Sequence, residues 1–81
     1  MNKLEKELDV LLKINKEDVH LLSYILESED NLANIRKYEN QILRIITTSS
    51  LLDEVLKILN SLKEKIKFEI IEIKENSGSA G

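Results

Sequence analysis

The chain has 81 residues, enough for one hydrophobic core and not two. Apolar residues are 42% of it and charged residues 33%, a balance that folds and stays in solution. It has no Cys and no Pro, and its two Gly, Gly78 and Gly81, stand at the end; disulfides, thiolate metal sites, cysteine nucleophiles, Gly-rich phosphate loops and Gly-flanked nucleophile turns are therefore excluded. The net charge of −3 and pI near 5.2 lack the basic footprint that releases counterions from phosphate, so no nucleic-acid partner is expected.

Around Lys3, Glu5, Lys6 and Glu7 there is no apolar core of signal-peptide length. No run approaches the ~20 apolar residues of a membrane helix. The expectation is a cytoplasmic protein with no membrane partner.

Leu8, Val10, Leu12 and Ile14 alternate with Asp9, Leu11 and Lys13, which is strand periodicity. A helix through Leu4, Leu8 and Leu11 is the competing reading. Asn15 to Asp18 resembles a capping box, with Asp18 in place of the usual Glu. Val19, Leu22, Ile25 and Leu26 then form one helical stripe ending near Ser28. Glu29, Asp30 and Asn31 make a polar turn, with Asn31 suited to a left-handed C-cap.

Leu32 to Tyr38 and Gln41 to Thr47 read as strands. Thr48, Ser49 and Ser50 offer N-caps to a second helix with the seam Leu52, Val55, Leu59, Leu62 and Ile66. Lys67 to Lys74, rich in Ile and Phe, is a last strand. The order β-α-β-β-α-β predicts an α+β, ferredoxin-like domain over residues 1–74. It has a four-stranded antiparallel sheet of order 4-1-3-2 and two helices on one face. Residues 75–81 read as a flexible tail or cloning remnant.

Arg44 belongs away from the helices, where its charge is not buried unpaired. That rule sends Leu43 and Ile45 inward, with Ala33, Ile35, Phe68 and Ile70. The open face then carries Leu11, Leu32, Tyr38, Ile42, Ile46, Ile71 and Ile73. A three-residue loop, Tyr38 to Asn40, keeps the hairpin faces matched by pairing Ile35 with Leu43 and Ala33 with Ile45. So apolar a face predicts a homodimer or higher oligomer with Leu11, Tyr38, Ile42, Ile46, Ile71 and Ile73 in the interface.

Arg36 and Arg44 are the only arginines, and both are placed on that face. They suit a carboxylate or phosphate, or ion pairs with Glu69, Asp9 or a partner subunit. Glu17 and His20 form half of a di-iron motif, and one half does not make a site. Tyr24 and Tyr38 are too few for an RNA stacking platform. No Ser-His-Asp set or acid–base pair stands out. The expectation is no catalytic site, no metal and no cofactor.

The segment Leu21-Leu-Ser-Tyr-Ile-Leu-Glu27, continued by Ser28-Glu-Asp-Asn-Leu-Ala-Asn-Ile-Arg36, resembles a family of short bacterial proteins catalogued as a domain of unknown function. The family pattern is Tyr-Leu-Lys-Phe-Ile-Leu-Glu, a short turn with Gly, then Leu-Ala-x-Val-Arg-Thr. Asn31 stands at the Gly and Lys37 at the Thr. That family is similar to ACT-type regulatory domains, which bind amino acids at subunit interfaces. The resemblance carries over Glu27, Asn31 and Arg36 as motif residues. Two functions are thus expected: a small oligomerising or interaction module, or an ACT-like regulatory domain. The second would hold a small anionic metabolite at a subunit interface, with Glu27, Asn31, Arg36 and Arg44 as ligand residues.

Overall fold

The computed structural model describes residues 6–28 and 32–75. Asn31, its expected C-cap role and the segment 76–81 lie outside them. The elements are β1 (Glu7–Ile14), α1 (Lys16–Ser28), β2 (Asn34–Glu39), β3 (Ile42–Thr48), α2 (Leu52–Leu62) and β4 (Phe68–Glu75). The strands form one antiparallel sheet of order β2-β3-β1-β4. This is the ferredoxin-like arrangement that alternation at the first strand and two helical stripes imply. The helix alternative for the first segment is excluded.

One core joins the layers. Val10, Leu12 and Ile14 of β1 and Leu43 and Ile45 of β3 pack with Leu22 and Leu26 of α1 and Val55, Leu59 and Leu62 of α2. Both helices therefore cover the same sheet face. The α2 stripe runs on past the helix end to Ile66, which is buried where its N–H returns to the Leu62 carbonyl at 2.8 Å. No helix among the described residues is long and apolar enough to cross a membrane.

Two local expectations are corrected. Leu51, not a Thr or Ser, is the N-cap of α2, and it makes no side-chain cap bond. Ser49 is drawn instead toward β1: it accepts from the Lys6 N–H at 3.0 Å, and its own N–H donates to the Lys6 carbonyl at 2.8 Å. The β2–β3 hairpin closes through a two-residue turn, Asn40-Gln41, with both φ values positive (54° and 68°). Left-handed geometry at two successive residues matches the twist of the flanking strands. The loop is one residue shorter than expected because β2 carries a bulge. Ile35 pairs with Ile45, Lys37 pairs with Arg44, and Arg36 is the extra residue between them.

Beyond the bulge the rest of β2 has the opposite phase. Tyr38 pairs with Leu43, on the helix side, and its hydroxyl donates to the Ile14 carbonyl at 2.7 Å. Leu32 lies before β2, packed against the core, and its carbonyl accepts from Thr47 Oγ1 at 2.6 Å. A second bulge breaks β4. Leu11 pairs with Glu72 and Leu12 with Ile70, so Ile71 is extra. Ile73 consequently pairs with Val10 and faces the helices. Tyr38 and Ile73 are thus removed from the open face, because one inserted residue exchanges the two sides of a strand, and Leu32 is removed because it precedes β2, where strand alternation does not hold.

Candidate functional site: a cationic hollow on the open sheet face

The register lays out the open face rung by rung. Ile42 stands between Glu39 and Lys13, and Lys13 has Glu69 on its other side. Ile46 stands between Asn34 and Asp9, and Asp9 has Lys74 on its other side. Between these rungs lies the one that both bulges interrupt: Lys37, Arg44, Leu11 and Glu72.

Alternation from inward Ile35 puts Arg36 on the open side, and pairing with Arg44 puts Lys37 there too. Two cations of β2 therefore stand across from a third on β3. Like charges directly opposite one another are destabilising in a sheet. Here they are partly offset by carboxylates: Arg44 Nη2 lies 3.1 Å from Asp9 Oδ2, and Lys37 Nζ lies 2.9 Å from Glu39 Oε1.

Asp9 is only 4% exposed although no helix among the described residues covers its side of the sheet. The Arg44 guanidinium lying against it is half exposed, but its Nε is buried with no hydrogen-bond partner among the described residues. A guanidinium carries five donors, so the contact with Asp9 leaves others over. Beside it is a shallow hollow of about 340 Å³ lined by Leu11, Lys37, Glu39, Asn40, Ile42 and Arg44. Its floor is aliphatic, and its wall holds two cations and one carboxylate. A larger hollow of about 540 Å³ lies between α2 and β4, lined by Asp53, Leu56, Lys57, Asn60, Lys63 and Ile70. The smaller one is the better binding candidate, because its charges converge from neighbouring strands upon an apolar floor.

Residues 12–66 match the family described as Domain of unknown function (DUF4911). The chain belongs to that family. No curated protein and no solved structure matches it. The DUF4911 segment takes in β2, β3 and both residues of the hairpin turn, and stops before β4.

Of the residues singled out in sequence, Arg36 and Arg44 share the open side at the β2 bulge, where Arg44 pairs with Lys37 and lines the hollow and Arg36 is the extra residue outside its lining. Glu27 does not join them: it is exposed on α1, in the layer beyond the opposite sheet face. Ile42 and Leu11 line the hollow, Ile71 is on the open side, and Ile46 is there but 9% exposed. Lys37, Glu39 and Asn40 are members of the site that the sequence does not mark. Their placement depends on the bulge, which strict alternation conceals.

Proposed function

We propose that this DUF4911 domain is a binding module, rather than a catalyst, for a small amphipathic carboxylate of the α-amino acid class. One observation carries the reading: the β2 bulge sets Lys37 across from Arg44 in the lining of a hollow floored by Leu11 and Ile42, with Arg36 next to Lys37 in the chain. A carboxylate is recognised by guanidinium and ammonium donors. Glu39 offers a counter-charge to a ligand ammonium, and the aliphatic floor takes a short apolar side chain. Zwitterion and hollow thus match in charge and polarity. The ACT resemblance points to the same ligand class.

Thermal shift tests it, with leucine, acetate and inorganic phosphate as probes. A ligand at 100 times its Kd adds about 2.7 kcal/mol of stability. In a domain of this size that raises Tm by on the order of 10 °C. Leucine is expected to act at lower concentration than acetate or phosphate. Lys37→Gln and Arg36→Gln, both at exposed positions, are expected to weaken the shift without loss of fold. An equal shift in the wild type and both variants, or none with any probe, overturns the reading.

Self-association is the second reading. It is favoured by Ile71 and Ile73, 50% and 40% exposed on an edge strand. The open face supports it less, since Leu11, Ile42, Ile46 and Ile71 are interleaved there with charged groups of both signs.

A further inference from the structure

The β4 strand is an edge, with no strand on its far side among the described residues. Its pairing with β1 fixes which way each side chain faces. Phe68, Ile70, Ile73 and Glu75 lie opposite Ile14, Leu12, Val10 and Leu8, and so face the helices. Glu69, Glu72 and Lys74 lie opposite Lys13, Leu11 and Asp9, and so face the open side. Ile71, the extra residue, comes after inward Ile70 and also faces the open side. From Phe68 to Glu75 the sides run in, out, in, out, out, in, out, in. That series is the same in both directions.

An unbroken strand cannot have this property about a point between two residues. Reversal there would set each inward residue against an outward one, because the side-chain period is two. The inserted Ile71 removes the conflict. Two copies of β4 can thus lie antiparallel about an axis between Ile71 and Glu72 with every rung matched in facing.

The chemistry matches at two of the four kinds of rung, while Ile71 opposite Glu72 and Phe68 opposite Glu75 set an apolar side chain against an exposed carboxylate. Ile70 comes opposite Ile73 of the second copy, twice, on the helix side. Glu69 comes opposite Lys74 of the second copy, twice, on the open side. Opposite charges and β-branched pairs are the favourable cross-strand combinations. The hollow between α2 and β4 has Leu56 and Ile70 in its lining, and Ile73 of the second copy stands next to it. The exposed flank of Ile73 is then covered too.

We infer that a second copy of this chain docks along β4, edge to edge, joining two four-stranded sheets into one of eight strands. The inference deepens the self-association reading and rests on it; it does not use the carboxylate hollow.

The chain has no cysteine, so introduced thiols report alone. Glu69→Cys and Lys74→Cys are made separately; both positions are exposed. In the inferred register position 69 faces position 74 of the other copy, about 5 Å apart at Cα, within disulfide range. Positions 69 and 69 of the two copies are four rungs of the sheet apart, about 14 Å, which is out of range. Light scattering of the wild type is expected to give the mass of two copies. Oxidation is expected to give a disulfide dimer when the two variants are mixed and little with either alone. Ile73→Asp, whose side chain is already part-exposed, is expected to weaken association about tenfold or more while the circular dichroism stays native.

A wild type that remains a monomer at high concentration overturns both the inference and self-association. A dimer whose variants cross-link no better mixed than separate overturns this register and leaves self-association standing. A mass that grows past two copies also overturns it, because a two-fold edge closes on itself.

Discussion

The strands β2 and β4 are the two rims of the sheet, and each carries one residue more than its neighbour can pair with. The bulges face the same rung, Arg44 and Leu11. Both rims acquire a series of sides that reads alike in either direction; on β2 it runs out, in, out, out, in, out from Asn34 to Glu39. The residues at the two centres differ. On β4 they are Ile71 and Glu72, and two copies can meet there. On β2 they are Arg36 and Lys37, so two copies meeting there would set four cations together. Like charges directly opposite are unfavourable. The difference teaches that backbone geometry offers both rims for pairing, and side-chain charge closes one of them. The closed rim is the one that lines the hollow proposed for a carboxylate.

The rims also differ in how they are fastened. The β2 side is held by the Tyr38 hydroxyl on the Ile14 carbonyl and by Thr47 on the Leu32 carbonyl. The free end of β4 is held by an ion pair between Lys6 and Glu75, 3.0 Å long and exposed at both partners. Removing the support common to both rims has the largest expected effect. Leu59→Ala is expected to cost about 2–5 kcal/mol, seen as a lower urea midpoint with one transition for both rims. Two separated transitions would break the picture of rims on one core. Tyr38→Phe is expected to lose about 1 kcal/mol, because the Ile14 carbonyl loses its donor. Amide exchange should rise near the hairpin and not at β4.

The hairpin turn gives a prediction of opposite sign. Gln41 has φ of 68°, a region that penalises a side chain and suits glycine. Gln41→Gly is expected to gain about 0.5–1 kcal/mol, measured as a higher Tm, with β2 held more firmly against β3. The smallest effect is expected at the far rim. Lys6→Ala breaks an exposed pair and should cost about 0.5 kcal/mol or less in urea unfolding. A loss there larger than that of Tyr38→Phe would reverse the order of the two fastenings.

Sequence alone carries the fold a long way. Alternation in Leu8 to Ile14, the stripe through Leu22 and Leu26, and the seam through Val55, Leu59 and Leu62 all come from burying one face of each element. The central strands are readable because β1 and β3 pair without interruption, so the inward places of Leu43 and Ile45 and the outward place of Arg44 derive from charge and alternation. The rims are not readable past their bulges. Nothing in Ile35-Arg36-Lys37 or Ile70-Ile71-Glu72 marks an inserted residue; the insertion exists only relative to the strand opposite. Strict alternation puts Tyr38 and Ile73 on the wrong side for that one reason. It still brings Arg36 and Arg44 to the same side, since Arg36 precedes the change of phase and Arg44 sits on an unbroken strand. The burial of Asp9 has no local signal, because it arises from what the fold packs around that carboxylate.

The doubled place on each rim has a consequence for how the gene tolerates change. In most strands, losing a single codon exchanges the wet and oily sides of everything beyond it. Here, losing the codon for Arg36 or Ile71 would only restore a regular ladder, with every remaining side chain still opposite its present neighbour. The two extra amino acids are therefore dispensable to the architecture. A shortened gene product that folds yet neither holds its ligand nor finds its twin would show what they are for.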